Sequence, residues 1–256
     1  MTTSLFDVRG ANVLVTGGSR GIGRFIARGF VEAGANVFIS ARQAEDCDAA
    51  AAELAKSGRC TSLPADLASV AAIEDLVARL RAQVSSLDVL VNNAGATFGA
   101  PVDSYPEAQW DTVVDVNLKA PFYLVQKLLP LLRAAAGPGR PARVINVGSI
   151  AGLIPMGRDS FAYSASKAGL HHLTRHLARH LAPAVNVNTI APGAFETRMI
   201  SFALANRAAL EAQVPGGRVG QAEDVAGVAI FLASRAGAYV TGAVLPVDGG
   251  LALRNP

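Results

Sequence analysis

The stretch that most limits what this chain can become lies near its beginning. Ala11-Asn12-Val13-Leu14-Val15 reads as a short buried strand. It runs straight into Thr16-Gly17-Gly18-Ser19-Arg20-Gly21-Ile22-Gly23, and a helix-forming run follows through about Ala33. A strand that hands over to a helix in this way belongs to a parallel sheet, because parallel strands need a crossover between them. A glycine-rich turn at that junction is also where a dinucleotide pyrophosphate can sit. The backbone approaches closely there, and the helix N-terminus presents N–H groups and a positive dipole. The spacing is Gly17-x-x-x-Gly21-x-Gly23, not the commoner G-x-G-x-x-G. The bland alternative is a tight turn with no ligand. Three glycines between a strand and a helix favour the nucleotide.

The alternation continues to the end of the chain. Val37 to Ser40 reads as a strand, and a helix follows around Glu45 to Ser57. A strand near Leu63 precedes a helix around Val70 to Val84, and Leu87 to Val91 is the next strand. Helical stretches cover Glu107 to Leu118 and Pro121 to Ala135. Strands at Arg143 to Val147, Val185 to Ile190 and near Val244 enclose helices beginning near Tyr163 and at Ala222 to Ala233. Such a pattern implies an α/β fold, a single doubly wound parallel sheet (Rossmann) with helices on both faces. Gly137 to Pro141 reads as a surface loop inside that pattern, so residues 1–256 read as one dinucleotide-binding domain.

Composition agrees. Of 256 residues 51% are hydrophobic and only 17% charged, which suits a sheet buried on both faces. The net charge is +3 and no run of Lys/Arg stands out, so nothing argues for nucleic acid. Met1 to Gly10 lacks the basic and apolar regions of a signal peptide, and no apolar run is long enough for a membrane span. Cys47 and Cys60 lie in separate segments without metal-type spacing and read as free thiols, which fits a cytoplasmic location.

Two further stretches carry chemistry. Tyr163-Ser164-Ala165-Ser166-Lys167 places a phenol and an ammonium one helical turn apart. Leu170, Leu173, Leu177 and Leu181 continue the helix, with Tyr163 near the middle of their apolar stripe. A nearby cation favours phenolate, so Lys167 is expected to lower the tyrosine pKa from about 10 and make it a general acid. The alternative is an accidental pair on a solvated face. At the end of the second strand an NAD enzyme would place an acid on the ribose 2′-hydroxyl. Here Ser40-Ala41-Arg42 stands instead, and an arginine fork suits a 2′-phosphate. Arg20 inside the glycine turn adds a second cation, so NADP(H) is the expected cofactor.

With these residues in view the whole chain resembles the short-chain dehydrogenase/reductase family. Thr16 to Gly23 matches its cofactor loop, and Asn92-Asn93-Ala94-Gly95 its second signature. Asn117, Ser149, Tyr163 and Lys167 match its catalytic positions, Pro192-Gly193 and Thr197 its nicotinamide segment, and Asp248-Gly249-Gly250 its last strand. The resemblance implies that Tyr163 donates a proton to a substrate carbonyl and that Ser149 orients that carbonyl. It implies that Lys167 holds the nicotinamide ribose and that Asn117 anchors a water. It also assigns Gly17, Ser19, Arg20, Gly21, Ile22, Gly23, Arg42, Asp66, Leu67, Asn93, Ala94, Gly95, Pro192, Gly193 and Thr197 to the cofactor, with Tyr163 and Lys167. Within the family the likeness is to 3-oxoacyl-thioester reductases, including the rhamnolipid-pathway type, carried by residues 13–23, 104–106, 128–133 and 191–193.

That likeness implies a ketone or acyl-thioester substrate, with a sugar, polyol or cyclic ketone as the alternative. A protein that kept the fold and lost catalysis is the remote one. It implies a homotetramer and, for carrier-bound substrates, docking of an acidic acyl carrier protein. One departure stands against docking: Ala182-Pro183-Ala184 occupies the position where carrier-dependent relatives often have a basic residue. Arg140, Arg158 and Arg179 are the remaining candidates. A substrate lid is expected at about 194–215, its pocket lined by Phe195, Met199 and Phe202 with Leu153 and Met156 opposite. His172, His176 and His180 recur every four residues but lack a further ligand, so no metal is expected and a solvated or subunit-contact face is preferred.

Overall fold

The computed structural model describes residues 5–155, 159–197 and 206–253. Seven strands form one sheet in the order β3-β2-β1-β4-β5-β6-β7. They are β1 Asn12–Thr16, β2 Asn36–Ser40, β3 Arg59–Ser62, β4 Val89–Asn92, β5 Ala142–Val147, β6 Val185–Pro192 and β7 Val244–Val247. Every neighbouring pair is parallel. Strands β1, β2, β4, β5 and β6 are almost uninterrupted runs of buried residues, as a sheet covered on both faces requires.

Alternate strand residues feed two cores. Val13 and Val15 join Ile26 and Phe30 of α1 (Gly21–Glu32), Cys47 of α2 (Ala44–Leu54) and Leu232 on one face. Leu14 joins Leu76 of α3 (Val70–Arg81) and Leu124 and Leu128 on the other. The order reverses between β1 and β4. Ligands of such sheets bind in the crevice at the carboxyl ends of the strands beside that point.

The helical stretch expected over Glu107 to Leu118 differs in an informative way. It is α-helical only over α4 (Glu107–Val114), then widens into a π-turn at Asp115–Lys119 before α5 (Ala120–Ala135). A π-turn shifts the side chains that follow it, and such turns collect at functional sites. Here the turn carries Asn117, fully buried.

The long helix α6 (Phe161–Leu181) also departs from the leucine-stripe reading. Of the four leucines only Leu170 is fully buried; the deepest face is Ala162, Ser166, Lys167, Leu170, His171, Thr174 and Ala178. Hydrophobic periodicity misses this because half of that face is polar. Two shorter helices, α7 (Arg207–Glu211) and α8 (Ala222–Ala233), complete the chain order. Among the described residues no helix is long and apolar enough to cross a membrane.

Candidate active site

The glycine turn is held from behind by β4. Thr16 Oγ1 accepts hydrogen bonds from the backbone N–H groups of Asn93 and Ala94, at 3.0 and 3.1 Å. The Asn93 amide donates to the carbonyls of Thr16 and Gly17 at 2.9 and 3.1 Å. Gly17 has a φ of +65°, and a Cβ there would come within 2.9 Å of the Ala94 backbone. A Cβ on Gly23 would strike the Asn93 amide and the Gly17 carbonyl. The two signatures therefore form one interlocked unit at the switch point, and glycine is the residue that permits it.

What this unit leaves open suits a pyrophosphate. Helix α1 starts after Arg20, which provides no side-chain cap, and its first turn has no acidic residue. Its orphan N–H groups and dipole are left for an anion. Ser19 and Ile22 are half-buried, and Arg20 and Arg42 are exposed beside the turn and after β2. Asp66 is exposed, its carboxylate accepting from the Ala68 N–H at 3.1 Å. Leu67 is a core residue, so only its backbone is available to a ligand. Thr197 approaches from the other side: its methyl lies 3.4 Å from where a Gly21 Cβ would be. Pro192 ends β6, and Gly193 donates its N–H to Val247 at 3.0 Å. A Cβ on Gly193 would come 2.6 Å from that of Asp248, so the two C-terminal signatures also pack together.

The four expected catalytic residues converge along the next strand ends. Asn117 fixes the loop after β4, accepting from Ala96 N–H at 2.8 Å and donating to Ala96 O at 2.9 Å. Its amide also donates to Ser166 Oγ on α6 at 3.0 Å. Gly95 is the junction: a Cβ there would be 3.3 Å from Asn117 Oδ1 and 3.7 Å from Lys167 Nζ. Lys167 Nζ donates to Val147 O, the end of β5, at 2.7 Å and lies 5.7 Å from the Tyr163 ring centroid. Ser149 sits just beyond, its Oγ accepting from Ala151 N–H at 3.1 Å.

The electrostatics correct the expectation for Tyr163. Burial pushes its phenol above the usual tyrosine value, and a hydrogen bond with Ser149 pulls it partly back. Burial outweighs any lowering by Lys167, whose ammonium donates to the Val147 carbonyl. Lys167 itself is pushed down to about 8 by desolvation. An amine in that range can hold or release a proton near neutral pH.

Other expectations fare unevenly. Phe195 is buried in the core, its ring filling the space beside Gly220, and it borders a hollow shared with Asp248, Gly249 and Gly250. The short parallel bridge from Phe195 to Gly220 pulls it inward. Leu153 is 41% exposed and remains available. Met156, Arg158 and residues 198–205 of the expected lid, Met199 and Phe202 among them, lie outside the described residues. Of the described lid, Glu196 and Glu211 pair with Arg207 at 3.2 and 2.9 Å.

Arg140 precedes β5 at the amino end of the sheet and pairs with Asp88 at 3.2 Å. Arg179 lies sixteen residues along α6 from Tyr163, about 24 Å at helical rise. His172, His176 and His180 are exposed and line up ring to ring, with centroids 5.0 and 6.5 Å apart.

Sequence reasoning missed a buried polar chain behind the site. Asn92 donates to Asn146 Oδ1 at 2.9 Å, Asn146 to Thr174 Oγ1 at 2.8 Å, and Thr174 and Thr189 share a 2.7 Å bond. It ties β4, β5, β6 and α6 together just beneath the residues above. It also missed His171, one turn after Lys167 and fully buried. The four-residue step from Lys167 was the available signal.

Residues 17–252 match a family profile described as Enoyl-(Acyl carrier protein) reductase. The chain belongs to the short-chain dehydrogenase/reductase family. It is 49% identical to the rhamnolipids biosynthesis 3-oxoacyl-[acyl-carrier-protein] reductase of Pseudomonas aeruginosa, over 97% of this chain and 98% of that one. Its structure is similar to the Pseudomonas aeruginosa RhlG/NADP active-site complex, with a TM-score of 0.93, 48% identity and coverage of 97% and 99%. It is also similar to a gluconate 5-dehydrogenase of Burkholderia cenocepacia in complex with NADP and tartrate. There the TM-score is 0.91 and the identity 32%, with both chains fully covered. The single parallel sheet and the family expected from the sequence are thus borne out.

Proposed function

We propose that this chain is an NADP(H)-dependent oxidoreductase that reduces the ketone of a 3-oxoacyl thioester to the 3-hydroxyacyl thioester. The observation that carries the reading is the near full-length likeness to a 3-oxoacyl-[acyl-carrier-protein] reductase, joined to the convergence of Ser149, Tyr163 and Lys167 at one strand end. NADPH, when bound, supplies the hydride. The open N-terminus of α1 would take its pyrophosphate, and Arg20 and Arg42 its 2′-phosphate.

The chain's own residues then do four things. Ser149 holds the substrate carbonyl oxygen against Tyr163. The Tyr163 hydroxyl gives its proton to that oxygen as negative charge builds there, and donors preorganised at that point lower the barrier. A phenol held protonated by burial is suited to donating at neutral pH. Lys167, near 8, would hold the nicotinamide ribose and return a proton to the phenolate. Asn117, through Ala96 and Ser166, keeps the loop after β4 in register with α6 and would anchor the water that refills Lys167.

The gluconate 5-dehydrogenase likeness supports a second reading, oxidation or reduction of a sugar acid. NADPH oxidation measured across a chain-length series of 3-oxoacyl thioesters, on coenzyme A and on carrier protein, separates the two. Turnover of thioesters beyond four carbons is expected, each buried methylene being worth about 0.8 kcal/mol. Inert thioesters beside a well-used sugar acid would overturn the acyl reading. Comparison of coenzyme A esters with carrier-bound ones tests whether an acidic carrier docks: faster turnover on the carrier protein would support docking and equal rates would argue against it. We further propose a cytoplasmic homotetramer in fatty-acid metabolism. Trp110 of α4 and Phe122 of α5 are exposed, and a partner subunit would cover them. A monomeric mass by light scattering would contradict this.

A further inference from the structure

We propose that His171 is a positioning residue for the proposed reduction: its flat ring packs beneath the turn that carries Ser149 and sets where the Ser149 hydroxyl points relative to Tyr163. This rests on the function proposed above.

The geometry is specific. A Cβ on Gly148 would strike His171 Nε2, and one on Gly152 would lie 2.8 Å from His171 Cε1. The two glycines that bracket Ser149 are thus the two surfaces the ring occupies. Gly152 is also pressed onto the α6 backbone, 2.7 Å from Ala168 N by the same measure. Strand β6 closes the far side, with the Thr189 methyl 2.8 Å from the Gly148 position. The slot admits a planar ring, whereas a branched side chain would push the serine turn away from the helix that carries Tyr163.

Chemistry singles out the same residue. His171 is fully buried, and neither ring nitrogen makes a hydrogen bond of full geometry; the Gly152 backbone is the polar group that approaches the ring. Unpaired buried polar atoms cost stability, so packing alone would favour an apolar residue. The charged groups facing the ring are Lys167 and Arg175 on its own helix. The serine turn, Gly148 to Gly152, and β6, Val185 to Pro192, contain no ionisable side chain. Burial, aided by Lys167, holds the imidazole down at about 4, with the Gly152 backbone opposing slightly. The ring therefore stays neutral, and Lys167 remains the one buried cation on this face among the described residues.

The test is a double-mutant cycle between His171→Leu and Ser149→Ala in the NADP-loaded protein. Two quantities are read: kcat for a 3-oxoacyl thioester, and the titration of the Tyr163 phenol by carbon NMR, assigned with Tyr163→Phe. The second needs no substrate. If His171 acts through Ser149, His171→Leu lowers kcat about tenfold, the worth of one misplaced hydrogen bond. It raises the Tyr163 pKa by about half a unit or more, because the Ser149 bond that holds it down is weakened. Both effects vanish when Ser149 is already alanine. NADPH affinity stays within about twofold. Effects that persist in the Ser149→Ala background, or a loss confined to NADPH binding, would overturn the proposal. If His171→Leu folds poorly, His171→Gln, flat at its tip, carries the same readouts. A phenol shift with every ketone inert would sink the reductase reading and leave His171 in its place.

Discussion

Strand β5 has a buried cation at each end, and the two are treated differently. At its start Arg143 is almost fully buried and every part of its fork is used. It donates to Leu232 O at 3.0 Å, to Ser234 O at 3.2 Å and to Pro141 O. Those carbonyls include the orphan ones at the end of α8, so the guanidinium stitches that helix to the sheet. Burial lowers its pKa to about 10, with Arg140 adding a little, and it stays charged. At the other end Lys167 has one hydrogen-bond partner among the described residues, Val147 O, and burial has brought it to about 8. Other unmet groups lie at this carboxyl end of the sheet: both His171 nitrogens, Asn92 Oδ1 and, further along at the end of β2, Ser40 Oγ. The amino end of the sheet is satisfied as it stands. The carboxyl end keeps polar capacity in reserve, which is what a site for a dinucleotide and a substrate requires.

The comparison breaks most visibly through Tyr163. Tyr163→Phe keeps the ring in its place and removes the proton. Turnover is expected to fall about 10²–10⁴-fold while the melting temperature and NADPH affinity hold. Steady-state rates beside calorimetry check it; half the activity remaining would remove Tyr163 from its role.

Arg143→Met should do the reverse. It leaves two or three buried carbonyls short of a donor, at about 1–3 kcal/mol for each that water cannot reach. A loss of about 2–4 kcal/mol lowers Tm by several degrees in a chain of this size. The kcat of the folded fraction should stay within about twofold of the unsubstituted protein. A variant that melts normally would show that the fork is incidental.

Arg42→Asp tests the cofactor side of the same edge. Losing a charge-assisted hydrogen bond costs about 1.5–3 kcal/mol, so the preference for NADPH should fall tenfold or more and stability should not change. Equal kcat/KM for NADPH and NADH in the unsubstituted protein would refute the assignment outright.

The two ends also differ in how legible they were. The parallel sheet followed from alternation, since each strand is a short apolar run bounded by turn residues; the order of its strands did not. The glycine turn and the Tyr163/Lys167 pair were legible because local spacing fixes them on one turn or one helix face. What was not legible depends on contacts between distant segments. Arg143 inside a strand looks like an edge residue until the end of α8 is placed over it. His171 and Thr174 look solvated because hydropathy counts them as polar, yet α6 buries them against β5 and β6. Phe195 looks like an exposed lid residue until its bridge to Gly220 sets the ring in the core. The resemblance to a family supplied Ser149 and Asn117, which no local pattern marks; their convergence is tertiary.

The smallest effect expected on stability is also the one that separates the two cations most directly. Lys167→Met replaces a buried ammonium by an apolar side chain of similar length. The sign follows from protonation. The folded value, about 8, lies below the ordinary 10.5, so between these pH values the unfolded chain binds more protons. Stability from this group therefore rises as pH increases from 8 to 10.5, and below 8 the ammonium is a constant burden on the ligand-free fold. Methionine removes that burden but abandons the bond to Val147 O, worth about 1 kcal/mol, so the net gain is small. We expect the ligand-free Tm at pH 7 to rise by a degree or two and turnover to be lost. The gain should shrink toward pH 10, where the lysine of the unsubstituted protein is already neutral when folded. A Tm that falls at pH 7 would mean that Lys167, like Arg143, is a structural clasp, and the contrast between the two ends of β5 would be gone.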